Sequence, residues 1–212
     1  VIQSSSATTV MLVSFVSAGL ITLIQATGIV LGANIGTTVT GWIVAILGFK
    51  FKINALALPA IAIGFFIRFL DNDKIDNWGD FLLGFGLLFF GLGIMSDSVQ
   101  DLRGSETILH FMSTYKADGI FSTIAVVAIG TAVTMIVQSS SATMAMTMAL
   151  AVSGLIDFYT AAALILGENI GTTITANIAA IGSTVEARRT ARVHFLFNFL
   201  GVIWILAVMK SI

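Results

Sequence analysis

The chain of 212 residues is 57% hydrophobic and only 10% charged. A soluble fold of this length could not present that balance to water without large apolar patches, so its main solvent is lipid. A formal net charge of −1 and a single proline exclude a basic stripe for a nucleic-acid backbone and argue against a disordered tail, and the absence of cysteine excludes thiolate chemistry, iron–sulfur clusters and disulfides.

The sequence opens on Val1 without an initiator Met, and it shows no basic segment followed by a short apolar stretch and a cleavage site. No secretory signal peptide is expected, and the chain reads as a fragment of a longer protein. Apolar stretches run at 7–24, 28–49, 53–70, 78–95, 119–137, 142–158, 160–182 and 193–210. A full membrane span needs about 20 residues.

In the first stretch, Gln3, Ser4, Ser5 and Ser6 precede Ala7 and Thr8. Consecutive hydrogen-bonding side chains inside an apolar run are costly in lipid unless each finds a partner. A helix that starts there offers unpaired backbone N–H groups and the positive end of its dipole, which together with the hydroxyls make an oxyanion site without a fixed cation. The plainer alternative is that the serines cap a helix or allow close packing. Gln25, at the end of this stretch, reads most simply as a polar residue at a hairpin exit.

The second stretch carries Gly32-Ala33-Asn34-Ile35-Gly36-Thr37-Thr38-Val39-Thr40. Glycines four apart with an Asn and paired threonines predict a broken helix. Its exposed carbonyls, with the side-chain oxygens of Asn34, Thr37 and Thr38, are the hard ligands an alkali cation prefers. A glycine packing motif explains the same spacing, and the two readings are compatible. The stretches 53–70 and 78–95 read as plain spans. The interval Asp97 to Asp118 is the longest polar one and reads as a surface segment.

The stretches 119–137 and 142–158 are joined too closely to be two spans with a loop in water. They read as a re-entrant helical hairpin whose polar tip is buried in protein or lines a watery cavity. That tip is Gln138, Ser139, Ser140 and Ser141, followed by Ala142 and Thr143, and beyond it comes Gly167-Glu168-Asn169-Ile170-Gly171-Thr172-Thr173-Ile174-Thr175. Both motifs of the first half thus return, and the step from Gln3 to Gln138 equals the step from Gly32 to Gly167, which marks a duplicated unit. Asn169, Thr172 and Thr173 repeat the oxygen ligands. Glu168 replaces Ala33, and a carboxylate at membrane depth reads either as a cation ligand or protonatable switch, or as a residue near the interface or paired with a neighbouring helix. Arg188, Arg189 and Arg192 read as an interfacial anchor. His194 and Asn198 share a helix face at the start of the last stretch and read first as structural residues.

The fold expected is all-α and membrane-integral, with residues 1–95 as repeat 1 and its following spans, 96–118 as a polar connecting segment and 119–212 as repeat 2. Residues from Val1 to about Gln25 form the second arm of a hairpin whose first arm is missing. Three spans between the hairpins give the repeats opposite orientation, and each repeat holds a re-entrant helical hairpin and a broken transmembrane helix. On this topology Arg68, Lys74, Arg188, Arg189 and Arg192 face one side and Lys50, Lys52, Arg103, Lys116 and Lys210 the other, so positive charge does not orient the chain. No nucleophile–base pair, metal cluster or NTPase phosphate loop is present, so an enzyme is not expected and transport energy must come from an ion gradient.

At these residues the sequence resembles the type II sodium/phosphate cotransporter family, in a bacterial-type form. The family's hallmark is a duplicated Gln-Ser-Ser-Ser motif with a Gly-x-Asn-Ile-Gly-Thr segment after each copy. The resemblance covers nearly the whole chain and extends to His194, Phe197 and Asn198, which match the family's His-x-x-Phe-Asn element. Phe51 to Leu58 lack the corresponding residues, and neither the family's first hairpin arm nor its soluble regulatory domain is expected within Val1 to Ile212. The resemblance implies a multi-pass cell-membrane symporter of sodium and inorganic phosphate, with sodium as coupling ion and no cofactor. Phosphate would lie between Gln3, Ser4, Ser5 and Ser6 of one tip and Gln138, Ser139, Ser140 and Ser141 of the other. Sodium would sit beside them, held by oxygens from Thr8, Asn34, Thr37, Thr38, Thr143, Glu168, Asn169, Thr172 and Thr173. It also implies that Asp97 to Asp118 lie outside the cell and the arginines inside. A homo-oligomer, another oxyanion or a dicarboxylate as substrate, and a non-transporting membrane scaffold remain open alternatives.

Overall fold

The computed structural model describes residues 2–50, 53–70 and 73–209, with backbone alone for Asn54, Asp73, Lys74 and Phe111. Val1, Phe51, Lys52, Lys210 and Ile212, which enter the sequence expectations, lie outside the described residues. The described residues form an all-helical membrane protein without a strand. Four helical stretches are long and apolar enough to cross a bilayer: Leu23–Lys50, Ile75–Leu102, Ile120–Val137 and Val185–Val208. The chain separates into two compact units, Val1–Gly41 with Phe111–Ile212, and Trp42–His110.

The first unit opens with α1 (Ser5–Ser17), whose 13 residues rise about 20 Å and fall short of the hydrocarbon thickness of about 30 Å. After a turn through Gly19 at φ 71°, α2 (Leu23–Ile43) follows. A short amphipathic α5 (Glu106–Thr114) carries the chain back into this unit, where α6 (Ile120–Val137) precedes α7 (Ser140–Val152). Next come α8 (Phe158–Gly171), α9 (Thr173–Ala179) and α10 (Val185–Val208). Helix α6 is itself long enough to span, whereas α7 has only 13 residues.

The duplication read from the motifs is present in the backbone. The step from Gln3 to Gln138 also carries both ends of α1 onto those of α7, and the first residue of α2 onto that of α8. Gln3 and Gln138 hold φ of 54° and 57°, and Gly19 and Gly154 hold 71° and 73°. Ser4 and Ser139 are N-caps with φ of −137° in both.

The core of this unit is built of small residues. Leu12, Val13 and Val16 of α1 pack with Ala26 and Val30 of α2, Ala176 and Ala180 of α9, and Ala187 and Ala191 of α10. A second cluster joins Val126 and Val127 of α6 to Ala163 of α8 and Val202 of α10. Helices α6 and α8 approach closely because glycines stand at the crossing: a Cβ on Gly130 would strike the Leu164 backbone, and one on Gly167 the Val127 carbonyl. With lipid on both sides of a helix pair, such close backbone packing replaces the hydrophobic effect as the source of association.

The second unit continues α2 as a π-helix, Val44–Lys50. A one-turn 3-10 helix leads into α3 (Ala57–Ile67), which packs along α4 (Asp73–Leu102). Pro59 sits in the first turn of α3, where its missing N–H has no intrahelical acceptor to lose. Gly64 faces the backbone of Gly79 and Leu83, and Gly86 that of Ala57 and Ile61. At the end of this pair Arg68 reaches Asp80 at 3.1 Å and Asp76 at 3.8 Å, all three partly exposed.

One sequence expectation changes. The break predicted at Gly32–Thr38 is not found: α2 runs through it unbroken. Thr37 and Thr38 donate their hydroxyls to the carbonyls of Ala33 and Ile35 within the same helix, at 3.1 and 2.7 Å, so the polar groups are satisfied without a break. In the second copy the helix is interrupted, at Thr172 alone, between α8 and α9. Arg188, Arg189 and Arg192 lie on the first turns of α10, which starts at its N-cap Thr184 well before the apolar stretch.

Candidate substrate site

Each Gln-Ser-Ser-Ser motif builds the same device. The Gln takes the left-handed conformation, and the first Ser turns extended and caps the helix that follows. Ser4 accepts the Ala7 N–H at 3.1 Å and Ser139 the Ala142 N–H at 3.3 Å. Each serine keeps its own O–H to donate. The caps take one of the orphan N–H groups of each first turn, which leaves the amides of the next two serines unbonded inside the helix. Thr8 and Thr143 fold back onto the carbonyls of Ser4 and Ser139 at 2.8 and 3.1 Å. Hydroxyls and free amides therefore converge at the N-termini of α1 and α7, the chemistry that holds an oxyanion.

The surroundings of the two tips differ. Ser5 is buried while Ser140 is half-buried, and Gln3 and Gln138 are both exposed. Ser6 reaches across to the second copy, where its hydroxyl lies 3.1 Å from Thr172 Oγ1 and 3.3 Å from the Thr172 carbonyl. Ser141 is half-buried, one residue before the exposed Ala142. On the second tip Thr134 donates to Thr143 at 3.2 Å, from α6 to α7.

The polar residues of the glycine segments fall into three places. Asn34, Thr37, Thr38 and Asn169 line a cavity of about 460 Å³ together with Asn198. Asn198 stands 3.5 Å from the Asn34 side-chain oxygen and donates to the His194 carbonyl at 2.9 Å. Asn34 Nδ2 and both ring nitrogens of His194 are buried without a hydrogen-bond partner among the described residues. Thr37 also faces a second cavity, of about 470 Å³, with Gln3, Ser4 and Thr8. Glu168 points elsewhere and is bonded by Thr147 at 2.6 Å, while Thr173 donates to the Ile170 carbonyl at 2.7 Å. No group of three or more His, Cys, Asp or Glu able to hold a metal ion occurs among the described residues.

Three residues join the site that the motifs did not announce. Thr131 donates to the Gly167 carbonyl at 3.0 Å, Thr134 bonds Thr143, and Thr147 holds Glu168. Nothing in their spacing marks Thr131, Thr134 or Thr147, because the partner of each lies on another helix. His194 and Asn198, read first as structural, stand within the same buried polar cluster as Asn34.

A family model described as Na+/Pi-cotransporter matches residues 1–97 and 104–211. Among curated proteins, YqeW of Bacillus subtilis (strain 168) is 31% identical over 215 residues, covering 100% of this chain and 66% of that protein. YjbB of Escherichia coli (strain K12), whose provisional name is inorganic phosphate export protein, is 29% identical over 205 residues, or 97% of this chain and 36% of its own. The sodium-dependent phosphate transport protein 2A of Rattus norvegicus is 35% identical over 133 residues, 59% of this chain and 20% of that one. The chain thus spans from a fifth to just under two thirds of the length of these relatives. No solved structure matches it.

Proposed function

We propose that this chain, which belongs to the Na+/Pi-cotransporter family, forms the substrate-binding part of a sodium-coupled carrier of inorganic phosphate in the cell membrane. The supporting observation is the contact between Ser6 and Thr172. It joins a hydroxyl of the first oxyanion-type tip to the glycine-threonine segment of the second copy, so one hydrogen bond links the groups assigned to the anion with those assigned to the cation.

In this reading the phosphate lies among Gln3 to Ser6 and Gln138 to Ser141. Sodium lies beside it, drawn to threonine, asparagine and carbonyl oxygens and to the Glu168 carboxylate. Neither site has a fixed cation to neutralise the anion, so the sodium ions complete the anion site and each ligand favours the other. The two copies have opposite orientations, and one moves against the other to open the site to either side. The names of the relatives include both sodium-dependent transport and export, so the direction of net flux follows the gradients imposed.

Radiolabelled phosphate flux in liposomes carrying the full-length protein tests this reading in both directions. Flux that requires a sodium gradient, disappears when potassium replaces sodium, and resists competition by sulfate is the result expected. Phosphate flux indifferent to sodium removes the coupling, and no flux under either gradient removes the substrate.

A further inference from the structure

The opening turns of α10 carry more positive charge than the fold uses. Arg188, Arg189 and Arg192 are all exposed. Glu186 meets one of them, with its carboxylate 3.9 Å from Arg189 and both side chains more than half exposed, an ion pair that water screens. Among the described residues no carboxylate lies within 4 Å of Arg188 or Arg192. Helix electrostatics gives no reason for these cations, because the N-terminal end of a helix favours anions.

The same side of the helix continues as an apolar stripe. At 3.6 residues per turn, Arg188, Arg192, Phe195, Phe199 and Ile203 fall within one narrow arc. The rings of Phe195 and Phe199 stack at 5.5 Å with their planes 15° apart, and both rings and Ile203 are exposed. The arc borders the face on which Ala191 and Val202 are buried against the rest of the unit. The apolar stretch begins directly after Arg192, which puts the arginines at headgroup level and the phenylalanines among acyl chains. From Arg192 to Ile203 the helix rises about 16 Å, close to the depth of one leaflet of a hydrocarbon core about 30 Å thick.

We propose that this stripe binds an anionic phospholipid, with its phosphate held by Arg188 and Arg192, Arg189 adding charge, and an acyl chain laid along Phe195, Phe199 and Ile203. All three cations are arginines, whose planar fork takes two phosphate oxygens at once, where a lysine offers a point charge. A zwitterionic lipid brings its own cation beside the phosphate and gains less from the cluster. None of the stripe residues lines the two cavities beside the serine tips and the asparagines, so the site is independent of the anion carried.

Native mass spectrometry of the full-length protein in detergent tests this, with phosphatidylglycerol and phosphatidylcholine of identical chains titrated separately. The result expected is a phosphatidylglycerol adduct about tenfold or more tighter than the phosphatidylcholine one. Arg188→Gln with Arg192→Gln should abolish that preference. Phe195→Ala with Phe199→Ala keeps the charges and should weaken both lipids alike, and elution profiles matching the parent's show that both variants are folded. Equal affinity for the two lipids, or a preference that survives the arginine substitutions, overturns the proposal. Displacement of the adduct by millimolar inorganic phosphate also overturns it, since the arginines then take a free anion. So does a lipid-free dimer that dissociates when the arginines are replaced, which assigns the stripe to a second copy.

Discussion

Thr147 donates its hydroxyl to Glu168 Oε1 at 2.6 Å, tying the middle of α7 to α8 through a carboxylate that is 3% exposed. No other carboxylate is buried among the described residues. The corresponding position of the first copy is Ala33, so the two halves of the duplicated unit are chemically unequal at this depth. A buried carboxylate in a membrane needs a counter-ion, a proton or strong donors.

If the counter-ion is a transported sodium, Glu168→Gln separates charge from shape. The amide can still accept from Thr147, so the yield of folded protein should hold. The sodium activation curve for phosphate flux should shift to higher concentration. Thr147→Val instead leaves the carboxylate without its donor, costing about 1–3 kcal/mol of stability. That variant should melt earlier in detergent. An unchanged sodium curve in Glu168→Gln with a loss of yield would make the residue structural.

The Ser6–Thr172 contact calls for a double-mutant cycle. Ser6→Ala and Thr172→Val should each raise the phosphate concentration needed for half-maximal flux and weaken sodium activation together, since the contact joins both sets of ligands. The double variant should be less impaired than the two single effects combined, by about 0.5–1.5 kcal/mol. Strict additivity would mean that the two hydroxyls act independently.

Packing gives the third prediction. Gly167→Leu drives a side chain into the Val127 carbonyl and the Thr131 amide, which belong to a helix backbone and cannot turn aside. The cost should exceed the roughly 1–3 kcal/mol of ordinary overpacking. Gly201→Leu, on an exposed face of α10 with nothing within 4 Å, should be tolerated. Size-exclusion profiles of the two variants in mild detergent compare them directly, and equal profiles would contradict the close α6–α8 crossing.

Much of this was legible because the duplicated motifs carry their own ruler. The offset read from Gln3 and Gln138 also places the ends of α1 and α7 and the starts of α2 and α8. The expected break at Gly32–Thr38 failed for a local reason: glycine permits a break without requiring one, and the hydroxyls of Thr37 and Thr38 found carbonyls one turn back. The partners of Glu168 and Thr143 were hidden because they come from packed helices. A hydrophobicity profile cannot tell Thr147 or Thr134 from any other threonine on an apolar helix. Asn198 shows the same limit: its spacing from His194 gives a shared face, while its meeting with Asn34 depends on how α10 lies against α2.

The left-handed glutamines supply a prediction in which stability and binding move apart. Gln138 sits at φ 57°, where a side chain costs about 1 kcal/mol that glycine does not incur. Gln138→Gly should therefore raise the melting temperature of the protein in detergent. If the exposed amide of Gln138 also helps hold phosphate, the same substitution should weaken phosphate affinity. Gln138→Asn resolves the two effects, since asparagine tolerates the left-handed region and keeps a shorter amide at the tip. Its stability should stay near that of the parent while its phosphate affinity falls between the parent and the glycine variant. Should Gln138→Gly gain stability with phosphate affinity untouched, the glutamine at this tip caps α6 and does nothing more, and the anion is left to the serines and the amides of the first turn.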